Sequence, residues 1–148
     1  MLSKMSRPYE ILIVDDEPGD VHLITAAISE GPFDCNLHSA GNGMEALAYL
    51  KACDEQGALP PDLILLDLNM PCMNGRDTLA ALKTNPHWMR IPVVVLTTSS
   101  ADRDVAQVYD TGAAGFVTKP LELEEFIEAI HGIEDYWFKV ARCPPHKS

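Results

Sequence analysis

Short apolar runs alternate along this chain with longer segments of helical periodicity, and no other feature narrows the fold as much. The runs Glu10–Val14, Cys35–Ala40, Leu63–Leu66, Val93–Thr97 and Gly115–Thr118 predict five strands. Between them, Asp20–Glu30 carries Val21, Leu23, Ile24, Ala27 and Ile28 at helical spacing, and Gly43–Cys53 carries Met44, Ala46, Leu47 and Leu50. Gly75–Thr84, Ala101–Thr111 and a segment beginning at Glu122 supply three more helices, with Gly31-Pro32 and Gly112 as stop signals. Five β-α units joined by right-handed crossovers give an α/β fold: a parallel sheet covered by helices on both faces. Cys35–Ala40 alternates polar and apolar residues and is expected at an edge.

The residues that close these runs carry the chemistry. Ile11-Leu12-Ile13-Val14 ends in Asp15 and Asp16, Leu63-Ile64-Leu65-Leu66 ends in Asp67, the fourth run ends in Thr97, and the fifth leads into Lys119-Pro120. In an open α/β sheet these ends share one edge, where such folds place their sites. Three carboxylates brought together raise one another's pKa unless a cation compensates them, so a divalent ion and a fixed lysine are expected beside them. Each residue alone has a plainer reading: Asp15 and Asp16 as a helix start, Asp67 as a loop acid, Thr97 as a β-branched strand residue, Lys119 as a solvated charge. Their joint occurrence in order is what favours a site.

This ordered set resembles the receiver domain of two-component response regulators, over about Tyr9 to Ile133, with 9–140 expected as the domain and 1–8 and 141–148 as flexible termini. The resemblance implies a flavodoxin-like sheet of strand order 2-1-3-4-5. It implies that Asp67 accepts a phosphoryl group from a histidine kinase in a Mg²⁺-dependent reaction. Asp16 and Asp67 would hold the metal through side chains, Asn69 through its backbone carbonyl and Asp15 through water. Thr97 and Lys119 would contact phosphoryl oxygens, Thr97 and Phe116 would form a switch pair, and the peptide before Pro120 would be cis. Phe116 stands where the family commonly has tyrosine. Ile133-Glu134-Asp135-Tyr136-Trp137-Phe138 and Leu96-Thr97-Thr98-Ser99 look like the stand-alone receivers that serve bacterial phytochrome kinases, which makes a bacteriophytochrome the implied partner.

Composition limits the other classes. The chain has 148 residues and a formal net charge of −11, which opposes binding to nucleic acid or anionic lipid. No segment reaches the roughly 18 continuous apolar residues of a membrane span, and the start lacks a signal peptide's apolar core, so a cytoplasmic protein is expected. Cys35, Cys53, Cys72 and Cys143 are scattered and expected to be reduced; Cys72 lies in the loop after Asp67. Only about fifteen residues follow Ile133, so output is expected through the domain's own surface.

Leu123, Phe126, Ile127, Ile130, Ile133, Trp137 and Val140 recur at steps of three and four, predicting an extended last helix. With Tyr136 and Phe138, the end of that stripe reads either as a homodimer anchor on the face of helix 4, strand 5 and helix 5, centred on Ile133, Tyr136, Trp137 and Phe138, or as a segment folded back on its own domain. A relay intermediate or phosphate sink is the alternative to a switch. A haloacid dehalogenase-type phosphatase needs an acid two residues after the nucleophile, where Asn69 stands. A flavin binder is opposed by acids where a phosphate cradle belongs.

Overall fold

The computed structural model describes residues 7–98 and 102–140. Residues 1–6 and 141–148, where flexible termini were expected, lie outside that range, as do Ser99 and Cys143. Five parallel strands, β1 (Tyr9–Val14), β2 (Cys35–Ala40), β3 (Leu63–Leu66), β4 (Val93–Thr97) and β5 (Gly115–Thr118), form one sheet in the order β2-β1-β3-β4-β5. The helices between and after them are α1 (Pro18–Ser29), α2 (Gly43–Gln56), α3 (Gly75–Thr84), α4 (Asp102–Thr111) and α5 (Leu123–Glu134). The expected fold and strand order are both present.

Side-chain alternation divides the molecule into two cores. Leu12, Val14, Ile64, Leu66, Val93 and Val95 face α2, α3 and α4, where Ala46, Leu50, Leu79, Leu82 and Val108 complete one cluster. Ile11, Ile13, Leu63, Leu65, Val94 and Leu96 point the other way, onto Ile24, Ala27 and Ile28 of α1 and Phe126, Ile130 and Ile133 of α5. The stretches Ile11–Val14, Leu63–Leu66 and Val93–Leu96 of the central strands are therefore apolar and buried at every position, while β2, at the edge, buries only Ala40. Side chains of Asn42 and Asn74 cap α2 and α3 by accepting from the backbone N–H of Glu45 and Asp77, each at 2.9 Å. The left-handed Gly57 closes α2.

The extended last helix takes a different form. After Glu134 the chain winds into a π-helical turn, Asp135–Val140. Its wider i to i+5 repeat moves the aromatic residues off the α-helical stripe. Phe138 lies flat on Tyr9 of β1, with ring centroids 3.9 Å apart, and meets Phe33 edge-on. Trp137 packs partly buried against the α1 and α5 core, in which Ile133 is buried. Of the two arrangements expected for the end of the stripe, Ile133, Trp137 and Phe138 take the folded-back one, joining their own domain beside α1. Burying these apolar groups within the chain removes them from water without the entropy loss of association. Of the four expected anchor residues, Tyr136 alone is exposed.

Cys35, Cys53 and Cys72 are free thiols. Burial, with a smaller push from Glu134, raises the Cys35 pKa to about 12, which keeps it protonated and inert. No helix among the described residues is long and apolar enough to cross a membrane.

Candidate phosphoacceptor site

The parallel register fixes where the acids meet. Val14 pairs with Leu66, so the next residues, Asp15 and Asp67, leave neighbouring strands at the same level, and the Asp67 N–H donates to the Val14 carbonyl at 2.9 Å. Asp15, Asp16 and Asp67 each present a carboxylate oxygen within 4.8 Å of the others. Asp15 and Asp67 are buried and Asp16 is exposed, which gives the cluster one open side.

Lys119 comes from the far side of the sheet. Its backbone N–H donates to the Thr97 carbonyl at 2.8 Å, continuing the pairing of β4 with β5 one residue past Thr118. Its ammonium donates to Asp15 Oδ2 at 2.7 Å and to Asp20 Oδ2 at 2.8 Å, and stands 3.9 Å from Asp67 Oδ2. Burial alone would lower the Lys119 pKa, but its bonds to Asp15 and Asp20 and the charge of Asp67 raise it overall, so the lysine stays charged. Burial raises the Asp15 pKa, and the Lys119 bond and the Glu17 N–H, which donates to Asp15 Oδ1 at 2.9 Å, only partly offset this.

Thr97 is fully buried at the end of β4. Val95 pairs with Phe116, so Thr97, two residues along, faces the same side of the sheet as the half-buried Phe116, which packs on the α2, α3 and α4 core. Asn69 is exposed in the loop after Asp67, where Cys72 holds a left-handed φ of 65°. That loop is pressed against α3. A Cβ added to Gly75 would overlap the Asp67 carbonyl oxygen and crowd the Leu68 Cα, so only glycine lets the helix start this close to Asp67. The expected cis bond is not found: no peptide among the described residues is cis, and Lys119 reaches the acids with a trans Lys119–Pro120 bond, the isomer that proline still favours by about 0.5–1 kcal/mol.

Residues 11–131 match the family described as the response regulator receiver domain. The chain belongs to that family. The receiver is 37% identical to the response regulator Rcp1 of Synechocystis sp. over 145 residues, 97% of this chain and 99% of Rcp1. Its structure resembles that of the phosphorylated cyanobacterial phytochrome response regulator RcpA, with TM-score 0.88, 37% identity and coverage of 94% of this chain and 100% of RcpA. The Mn²⁺-bound form of Rcp1 gives TM-score 0.86 and 36% identity, covering 93% and 100% of the two chains.

As a response regulator the protein is a phosphoacceptor in signal transduction, and receivers take their phosphoryl group from histidine kinases and bind a divalent metal at the acidic pocket. The donors here fit that ion: three carboxylates, all hard oxygen ligands, are close enough to share one centre. They form the one group of three or more His, Cys, Asp or Glu side chains among the described residues that could hold a metal. The receiver's pocket also contains Asp20, which the sequence reading placed only at the start of a helix. An acid in the first turn of a helix is ordinary beside its dipole, and nothing local marks a partner 99 residues away.

Proposed function

We propose that Asp67 is the phosphorylated residue and that this protein is a stand-alone switch module occupying 9–140, serving a bacteriophytochrome-type histidine kinase in the cytoplasm. The observation that carries the reading is the meeting of Asp15, Asp16 and Asp67 with the Lys119 ammonium at one sheet edge. The pathway is drawn from RcpA and Rcp1, whose lengths this chain matches almost fully. No external substrate is turned over, since Asn69 stands where a phosphatase would need its second acid.

A carboxylate oxygen of Asp67 attacks the phosphorus of the kinase's phosphohistidine. The new O–P bond forms as the P–N bond breaks, and the imidazole nitrogen leaves with the electron pair. Mg²⁺, held by Asp16 and Asp67 with the Asn69 carbonyl and with Asp15 through water, would supply charge neutralisation at the equatorial oxygens. Lys119 balances the same charge from the opposite side, and the Thr97 hydroxyl donates to a phosphoryl oxygen once it has arrived. Movement of Thr97 frees space on the face it shares with Phe116, and the aromatic ring turns inward. The surface that reads this change is the α4, β5 and α5 face, where Tyr109, Leu121 and Leu123 are exposed apolar side chains that a homodimer would cover.

Incubation with acetyl phosphate and magnesium should add one phosphoryl group to the wild-type protein and none to Asp67→Asn, as read by mass spectrometry. A chelator should stop uptake. Undiminished labelling of the variant would remove Asp67 from its role, and metal-independent labelling would remove Asp16 as a ligand.

A further inference from the structure

We propose that Asp20 is a positioning residue that holds the Lys119 ammonium back from the phosphoryl site in the resting protein, so that their contact sets how readily Asp67 gains a phosphoryl group. The inference rests on the phosphoacceptor reading above and adds a residue to it. Lys119 makes two short bonds, to Asp15 and to Asp20, and neither is to the acceptor. Its 3.9 Å separation from Asp67 Oδ2 is too long for a hydrogen bond. The ammonium is therefore retained on the α1 side of the pocket.

The two anchors differ in kind. The Lys119 and Asp15 side chains are 4% and 3% exposed, a pair shielded from water and firmly made. The Asp20 side chain is 32% exposed and lies outside the group of three acids that could hold a metal. Its contact with Lys119 is solvent-screened, strong enough to bias the lysine and weak enough to break. A phosphoryl group on Asp67 brings additional negative charge and competes for the same donor protons on a long, flexible stem. Asp20 must release the lysine before that charge can be fully neutralised, so removing the carboxylate should favour the loaded state. A merely structural role at the start of α1 predicts the reverse, a loss.

The test is calorimetric titration with beryllofluoride in magnesium buffer. Asp20→Asn should bind the phosphoryl mimic roughly fivefold more tightly than wild type, the upper range for release of a partly exposed ion pair. Glu17→Gln removes an equal charge from the N-cap of the same helix, keeps the backbone N–H that bonds Asp15, does not touch Lys119, and should leave the affinity unchanged. Asp20→Ser should repeat the gain if the asparagine variant does not fold. Unaltered or weaker binding by the Asp20 variants would overturn the inference, and so would an equal gain in Glu17→Gln, since the effect would then be general charge. If wild type binds no beryllofluoride and takes no phosphoryl group on Asp67, the phosphoacceptor reading fails and the role of Asp20 falls with it.

Discussion

Glu134, the last residue of α5, is 2% exposed, and neither carboxylate oxygen has a hydrogen-bond partner among the described residues. Oε1 sits 2.8 Å from where a Cβ would be on Gly31, so the group is wedged against the turn after α1. Burial raises its pKa from 4.5 to about 7; the neighbouring His131 lowers it somewhat and Asp135 raises it further. In the unfolded chain the carboxyl ionises near 4.5, whereas in the folded chain it keeps its proton until about pH 7. Between those values the folded state binds more protons, so stability is full below the lower value and falls as pH rises through the upper. The loss is on the order of 3 kcal/mol at most, at 1.36 kcal/mol per unit. Urea unfolding of wild type and Glu134→Gln at pH 5 and pH 8 should show the wild type losing about 2–3 kcal/mol more over that interval. Parallel stabilities of the two proteins would refute it.

The acceptor loop and α3 act together as an element. Since a Cβ at position 75 would overlap the Asp67 carbonyl oxygen, Gly75→Ala should displace the acceptor, lowering stability by about 1–3 kcal/mol and slowing phosphoryl uptake more than tenfold. Acetyl phosphate labelling at wild-type rate would show that the loop accommodates the methyl group. The strands that deliver the site residues were legible in the sequence because Leu63–Leu66 and Val93–Leu96 are buried on both sides and read as unbroken apolar runs. Cys35–Ala40 was legible as an edge because only one of its residues is fully buried. The π-helical turn was not, since stepping by three and four assumes an α-helix, and Phe138 falls off that stripe yet lands on Tyr9. Asp20 was hidden for a related reason: its partner is set by the crossing of α1 and the end of β5, which no local pattern encodes.

Across the whole molecule, Tyr9, Phe33 and Phe138 join the first strand, the turn before β2 and the last turn, and the Tyr9 hydroxyl donates to the Phe138 carbonyl at 3.4 Å. Phe138→Ala removes a half-buried ring and should cost about 1–3 kcal/mol, seen as a lower calorimetric Tm. Phosphoryl uptake should persist, because the acids lie at the opposite edge of the sheet; lost uptake at an unchanged Tm would contradict that separation. The aromatic trio has a geometric consequence. By holding the π-helical turn against Tyr9, at the start of β1, it keeps that turn a full strand length away from the acids at the other end of β1, and a docking kinase can approach Asp67 without having to push the turn aside.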